Sequence, residues 1–263
     1  MISFTSTWGS YTFKTRTPEL LFDLFLDSLI HGKMGGECSL WIISPWLSDV
    51  NFSFVGRSTL NGIFLFPRKA TRLSEILENF LDCGGTLKLV CRPPHDLVNI
   101  DSIRMLFYLE SANFQQKDAI IYKVVDSILS HKATIDFMLN LLPYVNLRKA
   151  EIRFNEKLHA KIFVSKSCAV TGSSNMTFSG LYSNLEFNCV ITDDEKINKI
   201  KQFCNEIWNK SDDLADYVSK CTDFHILLNN LESIKDKFDP RLKDLYVKLQ
   251  TLKEKSQRVH DIL

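Results

Sequence analysis

The stretch that decides the fold runs from residue 158 to residue 177 and reads LHAKIFVSKSCAVTGSSNMT. At its start, His159 and Lys161 alternate with apolar residues, so a strand over 158–164 would place both polar side chains on one face. The apolar neighbours Leu158, Ala160 and Ile162 would then point into the core. A short turn over 165–167 and a second strand over 168–171 would complete a β-hairpin.

The polar residues of this hairpin indicate a site for an anion. A His and a Lys side by side are poor core residues, and both suit an anionic ligand. The returning strand ends at Gly172, which allows the backbone to approach a ligand closely. Ser173 and Asn175 can donate hydrogen bonds to phosphate oxygens. Imidazole, ammonium, hydroxyl and amide thus converge, as expected of a phosphate site that contains a nucleophile.

The remainder of the chain predicts an α/β fold, because helical and strand patterns alternate along it. Helices are expected over 17–33, 72–82 and 194–209, a mostly helical region over 101–142, and strands over 38–44, 86–91, 150–154 and 185–192.

The C-terminal segment over 213–263 has a different pattern and predicts a helical appendage. Apolar residues repeat at steps of three and four, first in the set Phe224, Leu227, Leu231, Ile234 and Phe238, then in the set Leu242, Leu245, Leu249, Leu252 and Val259. We therefore expect a catalytic domain over 1–212 and a two-helix extension over 213–263. The extension is expected either to pack on the domain or to form a coiled-coil contact with another protein subunit.

Composition excludes several classes of function. The net charge is +1, so only local patches can hold a polyanion. The seven cysteines show no C-x-x-C spacing, and no His, Cys or carboxylate cluster has metal-ligand spacing, so neither a metal nor another cofactor is expected. The sequence shows no signal peptide and no long apolar run, which predicts a cytoplasmic protein without a membrane partner. Histidines outside the hairpin, His95 among them, are expected at the surface.

His159-Ala160-Lys161 followed by Gly172-Ser173-Ser174-Asn175 resembles the HKD signature of the phospholipase D superfamily, H-x-K-x4-D-x6-G-S-x-N. The resemblance covers residues 158–191 and includes Glu186. One departure stands out, because ten residues rather than eleven separate Lys161 from Gly172. The acid of the signature would fall at Ser165 or Lys166, and neither is acidic.

The resemblance implies a phospholipase D-like mixed β-sheet flanked by helices, and a metal-independent phosphodiesterase activity. His159 is implied to be the nucleophile that forms a phosphohistidine, or the acid that protonates the leaving group. Lys161, Ser173 and Asn175 would hold the phosphate, and Glu186 would orient the imidazole. The family mechanism uses two HxK motifs, and in this chain one HxK, at 159–161, is followed by a Gly-Ser-x-Asn segment, whereas His31-Gly32-Lys33 is not. The resemblance therefore implies a homodimer that completes the active site.

Local charge favours nucleic acid, DNA or RNA, as the substrate. Arg153 and Lys157 belong to a basic cluster before the motif, where a phosphate backbone would lie. Arg92 follows a predicted strand end, a place where α/β proteins often bind ligands. The leading interpretation is a nuclease, possibly within a restriction or defence system. A phospholipid phosphodiesterase or transferase, and a catalytically impaired nucleic-acid-binding subunit, are the alternatives.

Overall fold

The computed structural model describes residues 2–5, 17–36, 38–52, 72–97, 133–234 and 240–260. These residues contain one mixed sheet with the strand order β1-β7-β6-β5-β2-β3-β4-β8. The strands are β1 (Ile2–Thr5), β2 (Ser39–Ile43), β3 (Thr86–Cys91), β4 (Ala150–Phe154), β5 (Ile162–Val164), β6 (Ala169–Gly172), β7 (Asn188–Ile191) and β8 (Asp212–Asp213). Strands β2, β3 and β4 run parallel, and the other pairs are antiparallel. The predicted α/β class and mixed sheet are confirmed.

Helices flank this sheet, and local signals set several of their bounds. They are α1 (Thr17–Lys33), α2 (Leu73–Asp82), α3 (Pro94–Leu97), α4 (residues 133–146), α5 (Asp194–Asn209), α6 (Leu214–Lys220), α7 (Thr222–Ile234) and α8 (Pro240–His260). The side chain of Asp193 accepts a hydrogen bond from the Lys196 amide at 3.0 Å and so caps α5. Gly84, with a φ of +92°, turns the chain out of α2.

The alternation of strand side chains builds an apolar layer on each face of the sheet. In β2, Leu40 and Ile42 join the larger cluster, which also contains residues of α1, α2 and the C-terminal helices. Trp41 and Ile43 point the other way and pack in a smaller cluster beneath α5. Strand β2 is therefore buried on both faces, as its continuous apolar run predicts.

The predicted hairpin strand over 158–164 is too long, because β5 begins at Ile162. Residues 158–161 approach the sheet without ladder pairing, although Leu158 is buried in the smaller cluster as expected. The strand predicted over 185–192 is likewise limited to β7. Of the mostly helical region predicted over 101–142, residues before 133 lie outside the described part of the chain.

The C-terminal extension packs on the sheet domain and contains three helices rather than the predicted two. Its apolar residues share the larger cluster with the sheet; they include Leu214, Tyr217, Phe224, Leu227, Leu231, Leu245, Leu249 and Leu252. The Lys248 ammonium lies 2.6 Å from an Asp136 carboxylate oxygen and links α8 to α4. The described part of the structure does not include Phe238 or the side chains of Ile234, Leu242 and Val259. The domain boundary at residue 212 stays a prediction.

Candidate active site

The predicted pair of His159 and Lys161 lies together at the entry to β5. The Lys161 ammonium is 3.4 Å from Nδ1 and 3.3 Å from Nε2 of His159. It also donates a hydrogen bond of 2.8 Å to the carbonyl oxygen of His159. The imidazole is exposed to solvent, whereas Lys161 is only 6% exposed. A fixed cation therefore lies directly against an accessible imidazole.

Burial makes the Lys161 ammonium a strong local charge. It lowers the pKa of Lys161 below the ordinary value, and the negative charge of Glu186 opposes this change. A partly desolvated cation attracts a phosphate oxygen more strongly than one in bulk water does. The lysine thus suits the stabilisation of an anion that is bound at the imidazole.

Gly172 brings the Gly-Ser-Ser-Asn segment close to this pair. Its amide donates to the Lys161 carbonyl oxygen at 3.3 Å. A Cβ atom at Gly172 would lie 2.2 Å from the Phe187 carbonyl oxygen, so no larger residue fits between the strands. The next residue, Ser173, exchanges hydrogen bonds of 2.9 Å with Phe187: its amide donates to the Phe187 carbonyl, and its hydroxyl accepts from the Phe187 amide.

The carboxylate of Glu186 contacts Ser173 and not the imidazole in the described residues. The Ser173 hydroxyl donates to Oε2 of Glu186. The Asn184 amide donates to Oε1 at 3.1 Å. Glu186 therefore orients the Ser173 hydroxyl directly, and it influences Lys161 through charge. The resemblance implies that Glu186 orients His159, but the described residues show no direct contact between these two side chains.

Asn175 has unmet hydrogen-bonding capacity. Its side-chain oxygen is buried and accepts no hydrogen bond from the described residues. The adjacent Met176 amide donates to the Ser44 hydroxyl at 3.1 Å, and that hydroxyl donates to the Trp46 carbonyl at 2.8 Å. The main chain beside Asn175 is thus fixed, while the side-chain oxygen can accept a hydrogen bond from a donor group.

Two supporting residues were not identified from the sequence. Asn188 is 1% exposed, and its amide nitrogen donates to the hydroxyls of Ser174 at 2.7 Å and Thr17 at 2.9 Å. Ser44, fully buried, binds the Met176 amide. Ser44 is the last residue of the strand predicted over 38–44, which is a weak signal. Nothing in the sequence near Asn188 indicates its partners.

The shortened turn lies at the opposite end of β5 from Lys161. The Ser165 amide donates to the Cys168 carbonyl at 2.8 Å, and the Ser165 hydroxyl accepts from the Cys168 amide at 3.1 Å. These bonds close the turn around Lys166 and Ser167, and the Ser167 hydroxyl donates to Asp27 of α1 at 2.7 Å. The position of the missing acid is therefore occupied by a closed turn remote from the imidazole.

The three predicted substrate-binding residues have different surroundings. Arg92 forms a 2.8 Å ion pair with Asp96 and lies over the Trp46 ring. Arg153 donates to the Trp208 carbonyl at 3.0 Å and stacks on that ring at 4.4 Å, which are contacts that anchor the end of α5. Lys157 is exposed in the turn that precedes His159. Of the three, Lys157 is the residue that lines a cleft with His159.

The expectation that His95 lies at the surface is wrong. Its ring is 6% exposed and stacks on Tyr217. Nδ1 lies 2.7 Å from the Tyr217 hydroxyl, and Nε2 lies 3.4 Å from carboxylate oxygens of Asp96 and Glu156. Burial raises the pKa of the Tyr217 hydroxyl. Tyr217 belongs to α6, so a C-terminal helix covers His95, which the neighbouring sequence predicts to be exposed.

No group of three or more His, Cys, Asp or Glu side chains within the described residues has the arrangement of a metal site. Within the same residues, no helix combines the length and the apolar character that crossing a bilayer requires.

Comparisons with known proteins give a match to one family model and to several distant structures. A family model described as cardiolipin synthase, PLD-like domain, matches residues 99–208. Curated protein sequences gave no match. Nuc from Salmonella typhimurium, a phospholipase D family member, is 13% identical, with a TM-score of 0.39 over 81% of this chain and 95% of that chain.

Two other solved structures are longer than this chain. Phosphatidylserine synthase from Haemophilus influenzae Rd KW20 is 14% identical, with a TM-score of 0.49 over 97% of this chain and 46% of that chain. TrmBL2, an archaeal chromatin protein, is 13% identical, with a TM-score of 0.34 over 71% of this chain and 49% of that chain. The chain spans about half of the length of these two proteins.

The matched segment contains the site described above. It includes the His159-x-Lys161 pair and the Gly172-Ser-x-Asn175 segment, which the fold brings into contact through the hydrogen bond from Gly172 to Lys161. Residues 99–208, which carry the candidate site, are therefore similar to the phospholipase D-like domain of that family model.

Proposed function

We propose that the protein is a metal-independent phosphodiesterase in which His159 is the nucleophile. The observation that carries the proposal is the contact between the buried Lys161 ammonium and the exposed His159 ring. An accessible imidazole can attack phosphorus, while an adjacent fixed cation stabilises the negative charge that develops on the phosphoryl oxygens.

The reaction proceeds in two steps. A ring nitrogen of His159 attacks phosphorus, so that a P–N bond forms while the bond to the leaving oxygen breaks. The leaving oxygen takes a proton from a second imidazole. Water then attacks phosphorus and gives a proton to that same imidazole, and the P–N bond breaks. No step requires a metal, because fixed cations and hydrogen-bond donors supply the charge stabilisation.

Other residues of the site hold the phosphate or orient groups that hold it. The Asn175 side-chain nitrogen donates to a phosphoryl oxygen, and the Ser173 hydroxyl does so when its proton turns from Glu186 to the phosphate. Glu186 positions the Ser173 hydroxyl through the hydrogen bond between them. Lys161 binds the phosphate as a point charge, because an ammonium has no preferred planar geometry.

The second imidazole comes from another copy of the chain. The described residues contain one His-x-Lys pair followed by a Gly-Ser-x-Asn segment. A twofold axis beside the exposed His159 would bring the two imidazoles to either side of one phosphate. We therefore propose a homodimer with one composite active site.

Nucleic acid is the proposed substrate. A nuclease of this kind would act in a restriction or defence system. Lys157 lies two residues before His159 and lines the same cleft, where it can hold a neighbouring phosphate. We therefore propose Lys157 as a substrate-binding residue. Arg153 instead donates to the Trp208 carbonyl and stabilises the end of α5.

One observation favours a phospholipid as a second candidate substrate. Phe178, Leu185 and Phe187 are more than half exposed, and they lie in the segment that carries Glu186 beside Ser173. Exposed apolar side chains beside a phosphate site also suit an interface with lipid.

The proposal is tested with purified protein in EDTA. Labelled DNA, labelled RNA and phosphatidylglycerol vesicles are each incubated with the wild type and with His159→Ala. Cleavage of a nucleic acid by the wild type alone supports the proposal. If only the lipid is turned over, the substrate is a phospholipid and not a nucleic acid. If turnover requires added magnesium or zinc, the proposed mechanism is wrong.

A further inference from the structure

An open cleft of about 600 Å³ begins at His159 and runs along the turn before it. One wall is the segment from Phe154 to Ala160, and the opposite wall is the C-terminal half of α5. The cleft is thus continuous with the proposed nucleophile, and a group attached to a phosphate at His159 can enter it.

An aromatic ring on the α5 wall is half exposed within the cleft. Phe203 lines the cleft and is 49% exposed, whereas its neighbour Cys204 is fully buried in the cluster under the helix. A phenylalanine that is half exposed on a helix gains only part of the benefit of burial. An exposed ring beside a phosphate site is instead typical of surfaces on which nucleobases stack.

The charges of the cleft are mixed and so exclude two other occupants. Lys157 and Lys210 contribute positive charge, while Glu156, Glu206 and Asp212 contribute negative charge. Such a lining does not suit a run of phosphates inside the cleft, because three carboxylates outnumber two ammonium groups, although Lys157 can still pair with a single phosphate beside His159. It is also a poor place for an acyl chain, since a hydrocarbon offers no partner to these polar groups.

A nucleobase fits this lining in each respect. It is uncharged and planar, it stacks on an aromatic ring, and its edge carries both donors and acceptors for carboxylates and ammonium groups. Its phosphate remains at the mouth of the cleft, where Lys161 and His159 lie.

We propose that this cleft holds a base of a single-stranded nucleic acid, next to the phosphate at His159. The inference rests on the proposed function and narrows its substrate class. A base in a duplex is stacked and paired, so it enters the cleft only after it has been unpaired and unstacked. The protein therefore prefers single strands to duplexes.

The test compares strands that have the same phosphates and differ in their bases. Affinity is measured for a thymidine oligonucleotide, for an abasic strand of equal length, and for the corresponding duplex, all in a His159→Asn background that prevents cleavage. We expect the thymidine strand to bind about five- to tenfold more tightly than the abasic strand. The duplex should bind more weakly than the thymidine strand.

Three substitutions test whether the cleft causes the difference in affinity between the thymidine strand and the abasic strand. Phe203→Ala should remove the preference for the thymidine strand, and Phe203→Tyr, which keeps the ring, should retain it. Val247→Ala, an exposed apolar residue outside the cleft, is the control and should change neither affinity. Thermal unfolding of each variant separates a lost ring from a lost fold.

The outcomes also distinguish this inference from the proposed function. Equal binding of thymidine and abasic strands, or tighter binding of the duplex, overturns the inference. Hydrolysis of bis(p-nitrophenyl) phosphate by the protein with an intact His159 reports the phosphodiesterase separately. If that hydrolysis is present and base dependence is absent, the cleft proposal fails alone. If that hydrolysis is absent, the proposed function fails.

Discussion

The ammonium of Lys161 lies 3.3–3.4 Å from both ring nitrogens of His159, and a 2.8 Å hydrogen bond to the His159 carbonyl holds it there. The same residue supplies the imidazole and the main-chain acceptor that fixes the neighbouring cation. This arrangement is built within three consecutive residues, so it does not depend on the precise packing of distant elements. It is the part of the site that the HxK spacing encodes most directly.

Substitution of Lys161 by methionine should change how stability depends on pH. Burial lowers the pKa of Lys161, so on raising the pH the folded state loses this proton before the unfolded state does. The unfolded state then binds more protons, and the wild type gains stability relative to Lys161→Met as the pH rises towards about 10. Thermal unfolding of both proteins between about pH 7 and pH 10 measures this difference. A difference that stays constant or moves the other way would contradict it.

Glu186→Gln should reduce activity far less than the loss of His159. The carboxylate binds Ser173 and Asn184, so the change disturbs the orientation of a phosphate ligand and leaves the nucleophile in place. We expect a decrease of about tenfold, within the range for positioning effects. Ser173→Ala should cost a similar factor, and the double variant should cost little more than either single one, because the two residues act through one hydrogen bond. Fully multiplicative losses in kcat/KM would show that they act separately.

His95→Ala should destabilise the fold by roughly 1–3 kcal/mol, because it leaves the buried Tyr217 hydroxyl without its imidazole partner. The change also removes a contact between α3 and α6. His225→Ala, at a half-buried histidine on α7, is the matched control and should cost less. Chemical denaturation measures both values. Equal stability of the wild type and His95→Ala would show that the His95–Tyr217 contact contributes little.

Local signals were sufficient for much of the fold. Helix α1 begins at Thr17, where a capping residue precedes a proline, and α2 ends near Gly84, where a positive φ is required. Strand β3 has the predicted bounds, since an apolar run between turn residues defines it. The hairpin of β5 and β6 also follows from adjacent sequence.

Long-range partners explain what the sequence could not predict. Strand β1 pairs with β7, and β8 pairs with β4, and in both cases the partner is far away in the chain. The burial of His95 depends on Tyr217, which is 122 residues away. Glu186 binds Ser173 because Ser173 and Phe187 face each other across neighbouring chain segments. The resemblance alone assigned this carboxylate to His159.

A composite site predicts how activity changes when wild-type and His159→Ala chains are mixed. If each phosphate requires both imidazoles, a dimer with one altered chain is inactive. After refolding of an equal mixture, about one quarter of the dimers contain two intact chains, so about one quarter of the activity should remain. Chains that act independently would retain about one half. Analytical ultracentrifugation should show a dimer, and an active monomer at micromolar concentration would contradict the composite site.

The central claim is that His159 is the nucleophile, and cleavage of a labelled single-stranded oligonucleotide in EDTA by the wild type and by His159→Ala tests it most directly. Because the imidazole is exposed, the variant should unfold at the same temperature as the wild type. The account predicts cleavage by the wild type in EDTA and a rate at least about 10³-fold lower for the variant. A folded His159→Ala protein that cleaves within tenfold of the wild-type rate would contradict it.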